Sequence, residues 1–232
     1  MQLVASTSVA SILCFSRISY GLQIAPSGAA MSDAQKDPSN FHGHRVKRCS
    51  IALLLIDVIN DLDFPESDQL LRFALPMGER LVQLKRQVKA LGIPVIYVND
   101  NFGKWQSNLP KLVEHCLDDS RGKVLVEMLQ PDDDDYFIVK PRHSGFFGTS
   151  LDLLLDDLQV ETLILTGLAG NICVLFTAND AYLRHYQLIV PCDCIASNTQ
   201  EENLAALRQM EHILKAETSP AAELQFKKFI EK

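Results

Sequence analysis

Three polar residues stand where apolar runs end, and their types suit nucleophilic catalysis. Asp57 closes Ile51–Ile56, Lys140 closes Tyr136–Val139, and Cys173 follows the turn Gly167 to Ile172 behind Thr162–Thr166. A cysteine in the first turn of a helix faces free backbone N–H groups and the positive end of the helix dipole, which favour a thiolate. A neighbouring lysine ammonium lowers the thiol pKa further below its ordinary value of about 8.5. A carboxylate beside this pair can move a proton from the nucleophile to a leaving group, and the N–H groups of the turn can hold an oxyanion. Each residue alone has a plainer reading: a turn aspartate, a solvated lysine, a small hydrophobic cysteine. Their shared place on one rim brings the functional reading level with these.

For the three to meet, strands must carry them to one edge. Ile51–Ile56 is apolar throughout, as expected of a strand buried on both faces. Met77, Leu81, Leu84, Val88 and Leu91 form one stripe of an amphipathic helix that Gly92 ends. Further strands are expected at 94–98, 136–139, 162–166 and 187–190, and helices over 151–158, 171–185 and 204–214. Strands that alternate with helices imply a parallel sheet covered on both faces. Five or six of them make one doubly wound, Rossmann-like α/β domain. In that architecture a site lies beyond the carboxyl ends of the strands, near the reversal of strand order.

The 232 residues carry a net charge of −7, with a pI near 5.3 and no basic stripe, which argues against nucleic acid as a partner. The longest purely apolar run, Ile51–Ile56, is far too short to cross a bilayer. Six cysteines without CxxC pairs read as reduced thiols of a cytoplasmic protein. Residues 1–50 carry a net +3 and the remainder −10. Residues 1–30 hold six serines, one arginine and no acid. A secretory signal lacks its basic start here, and a transit peptide lacks arginines. Residues 1–46 therefore read as a disordered leader or as a start assigned too early, with Met31 opening the protein. The domain is expected over 47–220, with a tail over 221–232.

Leu55-Ile56-Asp57-Val58-Ile59-Asn60-Asp61 resembles the opening strand motif of the isochorismatase-like cysteine hydrolases. Lys140 to Leu151 resembles the Lys, Ser-Ala-Phe and Thr-x-Leu block of that family, and Gly167 to Ala178 its Gly-x-x-Thr-x-x-Cys-Val…Thr-Ala signature. The resemblance runs from about residue 50 to 218. It implies a six-stranded parallel sheet, a catalytic triad of Asp57, Lys140 and Cys173, and an oxyanion hole formed by the N–H groups of Ala169 and Cys173. It also implies a small-molecule substrate and assembly as a homodimer or homotetramer. Gly170 departs from the signature threonine and removes a hydroxyl from the turn.

Nicotinamidases of this family carry a metal on an Asp-x-His and a further histidine. Asp61-Leu62-Asp63-Phe64-Pro65 and Asn99-Asp100-Asn101 contain no histidine, so neither a metal nor another cofactor is expected. Isochorismatases proper cleave an enol ether without the cysteine. The presence of Cys173 thus implies hydrolysis of amide, ureido or related C–N bonds through a thioester. The alternative is a non-catalytic module of the same family that binds a metabolite or a protein.

Asn60, Phe64, Trp105, Phe146 and Phe147 lie near the expected rim and are candidate substrate contacts, with Trp105 foremost because it follows a strand in a loop. Asp132–Asp135 reads as a solvated acidic turn, Cys192 and Cys194 as structural, and His143 as a solvated loop residue.

Overall fold

The run Ile51–Ile56 forms β1, and all six of its side chains are fully buried, three on each face of the sheet. Ile51, Leu53 and Leu55 enter one apolar cluster, and Ala52, Leu54 and Ile56 enter another on the opposite face. Two separate cores explain why the strand is apolar at every position rather than alternating. Burying a leucine or isoleucine contributes about 1.5–3 kcal/mol, so β1 anchors both layers.

The computed structural model describes residues 48–103 and 108–227. The leader expected over 1–46 and Trp105 lie outside the described residues. β1 is followed by α1 (Ser67–Ala90), β2 (Val95–Asp100), α2 (Leu109–Leu117), α3 (Lys123–Met128), β3 (Tyr136–Lys140), α4 (Leu151–Leu158) and β4 (Thr162–Leu168). A single π-helical turn, Gly170–Val174, leads into α5 (Leu175–Leu183), β5 (Gln187–Ile189), β6 (Ile195–Ala196) and α6 (Gln200–His212). All strand pairs are parallel, in the order β3-β2-β1-β4-β5. β6 lies on the same side of β4 as β5 but pairs its far end, at Gly167 and Leu168. The result is a doubly wound α/β sheet of six strands, with its switch point between β1 and β4.

Several boundaries differ from the sequence expectation. α1 begins ten residues before Met77 and carries Pro76 inside it. α2 and α3, unforeseen in the sequence reading, cover the same sheet face as α1. Asn108 accepts the Lys111 N–H at the start of α2, with a proline in the first turn, a start signal that was present but attached to few apolar residues. α6 starts at Gln200 because Thr199 caps it through the Glu202 N–H, four residues ahead of Leu204. Ala221, Leu224 and Phe226 of the expected tail are buried against the α1 face. No helix among the described residues is long and apolar enough to cross a membrane.

The acidic turn is also different from a solvated one. Lys89 Nζ reaches Asp132, Asp134 and Asp135 at 2.8, 2.5 and 2.8 Å, and Lys85 Nζ reaches Asp135 at 2.6 Å. These lysines stand one turn apart on α1, so the turn docks onto that helix and the Asp135 side chain is buried.

One glycine is dictated by the approach of two strands. Gly167 has φ +109°, and a Cβ there would lie 2.1 Å from the Ile56 carbonyl oxygen, just before Asp57. Gly167→Ala combines a disfavoured backbone with a clash against backbone, and is expected to destabilise the chain by about 3 kcal/mol or more. A lowered midpoint in urea unfolding with an unchanged slope checks this; a midpoint equal to wild type refutes it.

Candidate active site

The switch point brings three strand ends together. Asp57 continues β1, donating its N–H to the Val98 carbonyl at 3.0 Å, and then leaves the strand in a left-handed conformation with φ 51°. Aspartate tolerates this region better than bulkier residues, and such outliers cluster at functional sites. Its two carboxylate oxygens are both engaged: Oδ1 accepts the Asp100 N–H at 2.7 Å and Oδ2 pairs with Lys140 Nζ at 2.8 Å. Lys140 ends β3 with no solvent exposure, and its ammonium also contacts Cys173 Sγ at 3.5 Å, the Arg142 carbonyl at 3.2 Å and Asp100 Oδ2 at 3.6 Å. Cys173 lies in the π-helical turn after β4, with its thiol near enough to Asp57 for each to shift the other's pKa. π-helical turns of this kind occur frequently at functional sites.

The loop that carries Lys140 is fastened to the helix that follows Cys173. Thr177 Oγ1 donates to the Cys173 carbonyl at 2.7 Å and accepts the Gly145 N–H at 3.0 Å. Ser144 donates to the Asp180 carboxylate, and Arg184 holds Asp180 and Asp152 at 3.2 and 3.0 Å. These bonds fix the separation between ammonium and sulfur.

The electrostatics reverse one expectation. Helix dipole and lysine together were expected to favour a thiolate. Burial, with the Asp57 charge next, instead pushes the Cys173 thiol up to about 12, and the opposing pull of Lys140 is the weaker influence. Burial likewise raises the Asp57 carboxyl above the ordinary carboxylate range, against Lys140 and the Cys173 thiol. Burial pulls the Lys140 ammonium down, but Asp57, Cys173 and Asp100 outweigh it and hold the pKa above the ordinary lysine value. Burial thus favours the neutral thiol in the resting site, beside Asp57 and the Lys140 ammonium.

Two residues join the expected three: His143, which the sequence suggests is a solvated loop residue, and Asp100. His143 Nδ1 lies 3.8 Å from Cys173 Sγ, and its ring packs against Phe176 at 5.4 Å between centroids. Asp100 ends β2 and meets both Asp57 and Lys140. The strand-end rule that singled out Asp57 and Lys140 would have found Asp100 as well.

The candidate substrate contacts divide. Asn60 is half-buried and spends its side-chain oxygen on the Leu62 N–H at 2.8 Å. Phe64 is partly buried against the α1-side core. Phe146 is buried, with the Arg184 guanidinium 4.6 Å above its ring and Tyr186 beside it, so it packs the core beneath the loop. Phe147 is exposed. Cys192 is half-buried and Cys194 is buried, with burial raising both thiols.

Asp61 Oδ2, in the first of the two stretches that lack the nicotinamidase histidines, meets His115 of α2 at 2.9 Å. Among the described residues no third metal-type donor joins this pair. The one cluster of three metal-type groups among those residues is Asp132, Asp134 and Asp135, where Lys89 already sits.

Comparison with known proteins agrees with this architecture. The Isochorismatase domain profile matches residues 51–222. The isochorismatase family protein YaaI of Bacillus subtilis, itself uncharacterised, is 44% identical over 166 residues, which is 72% of this chain and 91% of YaaI. Ureidoacrylate amidohydrolase RutB of Methylorubrum extorquens is 45% identical over 141 residues, 51% of this chain and 56% of RutB. The crystal structure of N-carbamoylsarcosine amidase from Thermoplasma acidophilum matches with a TM-score of 0.58 at 25% identity, covering 76% of this chain and 99% of that one. With the profile spanning nearly all of the described fold and YaaI aligned along most of its length, this chain belongs to the isochorismatase family.

Proposed function

We propose that the chain is a cysteine-dependent hydrolase of C–N bonds in small amide or ureido compounds, acting through a thioester on Cys173. The observation that carries this reading is the fully buried Lys140, held 2.8 Å from Asp57 and 3.5 Å from the sulfur. Taking two charges out of water costs several kcal/mol each, and a hydrophobic pair would fill the space more cheaply. A buried pair that also touches a thiol is suited to managing the charge of that thiol. The amidohydrolase and amidase among the similar proteins support C–N chemistry.

Asp57, raised by burial, accepts the thiol proton as the sulfur attacks the substrate carbonyl. Lys140 remains protonated and stabilises the developing thiolate. The N–H groups of Ala169 and Cys173 receive the oxyanion. When the tetrahedral intermediate collapses, the C–N bond breaks and Asp57 returns its proton to the departing ammonia or amine. Asp57 then takes a proton from water as it attacks the thioester, the C–S bond breaks, and Asp57 returns that proton to the Cys173 sulfur.

Screening primary amides, ureides and N-carbamoyl compounds for ammonia release, with acid quenching and intact mass measurement, tests this reading. The expected result is turnover together with an acyl adduct on Cys173. The rate should fall on acidification at a midpoint above the usual carboxylate value of about 4, because the base is Asp57 and its pKa is raised. Turnover that never modifies Cys173, or an acidic midpoint at or below about 4, contradicts the proposal.

A further inference from the structure

Gly170 stands where the family signature has a threonine, and other side chains occupy the space that residue would need. A Cβ at position 170 would lie 2.5 Å from Asn203 Oδ1, 3.0 Å from Ser197 Oγ and 3.1 Å from Ile195 Cδ1. Ser197, only 1% exposed, accepts the Asn171 N–H through Oγ at 3.1 Å and donates to Asn203 Oδ1 at 2.9 Å. Asn203 Nδ2 donates in turn to the Ile195 carbonyl at 3.4 Å. The Thr199 cap sets where α6 begins and so places Asn203 in its first turns.

A connected set of hydrogen bonds therefore runs from β6 and α6 into the nucleophile turn, two residues before Cys173. The Asn171 N–H is at the start of a helix, where such donors lack intrahelical partners and must find an acceptor elsewhere. The sulfur is held independently, by Asp57 and Lys140. The backbone of the turn is what Ser197 holds.

We propose that Ser197, oriented by Asn203, is a positioning residue for the nucleophile turn and supplies, from the segment after β6, the hydroxyl that Gly170 lacks. It acts through the Asn171 N–H, fixing the turn so that the N–H groups of Ala169 and Cys173 meet the oxyanion. This role rests on the hydrolase reading above.

Two reagents separate oxyanion support from thiol reactivity. With p-nitrophenyl acetate the Cys173 Sγ–acyl bond forms, the aryl ester C–O bond breaks, p-nitrophenolate leaves and the thiol proton passes to Asp57. With iodoacetamide the sulfur displaces iodide at a saturated carbon, and no oxyanion forms. Ser197→Ala is expected to slow acetylation of Cys173 by roughly tenfold to hundredfold, with alkylation left within about twofold of wild type. Asn203→Ala, at a less buried position, should show the same split with a smaller loss. Gly170→Thr added to the Ser197→Ala/Asn203→Ala pair, where only Ile195 Cδ1 at 3.1 Å must still give way, should recover part of the acetylation rate. Equal loss in both reactions, unchanged acetylation in both single variants, or no recovery in the triple variant would overturn the positioning role. If the wild-type chain takes up no acetyl group on Cys173, the thioester reading falls and this role falls with it.

Discussion

Cys173→Ala is expected to abolish hydrolysis, by at least about a thousandfold, while the chain unfolds within about 1 kcal/mol of wild type. The sulfur is the group that would form the covalent bond, and no neighbour can replace it. His143, 3.8 Å away, is an imidazole at the exposed side of the sulfur, and Asp57 is engaged by Lys140 and the Asp100 N–H. The stability cost stays small because Asp57 and Lys140 are paired with each other at 2.8 Å, so losing the sulfur strands neither. Lys140 keeps Asp57, and Asp57 keeps Lys140. Ammonia release and urea unfolding on the same preparation check both halves. Hydrolysis retained at more than about a tenth of the wild-type rate removes Cys173 from the mechanism.

Asp57→Asn is expected to move two activities in opposite directions. Hydrolysis should fall by about 10²–10⁴-fold, because an amide cannot carry the proton from thiol to leaving group. Alkylation of Cys173 should become faster. The Asp57 charge is second only to burial in raising the thiol to about 12, and without it burial alone opposes the pull of Lys140 on the sulfur. Each unit by which the thiol pKa falls gives about ten times more thiolate, while the intrinsic reactivity of that thiolate drops by about threefold. A fall of two units therefore reads as roughly tenfold faster reaction with iodoacetamide at neutral pH. A variant that loses both activities together would show that Asp57 activates the thiol at rest rather than restraining it. The wild-type chain should accordingly alkylate slowly, in contrast to a cysteine poised as a thiolate.

The raised thiol pKa is a property that residue type and spacing do not carry. The types and order of Asp57, Lys140 and Cys173 were visible, because each ends an apolar run and the runs alternate with helical stripes. The helix dipole and the lysine were visible too, and they pointed to a lowered thiol pKa. Burial and a carboxylate in contact with the sulfur are properties of three-dimensional packing, and they dominate in the opposite direction. His143 is close to Lys140 in sequence, but only the fold of the loop over α5 brings its ring to the sulfur. Phe146 and Phe147 are adjacent in sequence, yet one is buried under Arg184 and the other exposed.

The same division runs through the fold. Long, strongly patterned segments were legible: β1 by its unbroken apolar run, α4 by its leucine spacing, and β4 by its apolar core. α2, α3 and the two-residue β6 were not, since short elements owe their existence to what they pack against rather than to their own propensity. β6 nevertheless matters, because it pairs the end of β4 and leads into Ser197.

What the sequence determined by itself is the layered α/β architecture, the rim where chemistry is placed, and the three residue types on that rim. Periodicity and strand-end position are local properties, and a chain displays them before it folds. Folding alone supplies the burial that favours a neutral thiol, brings Asp100 and His143 to the site, and fills the space beside Gly170 with Ser197 and Asn203. Each of these depends on desolvation or on contacts between residues far apart in the chain, and neither exists until the sheet has brought its strand ends together.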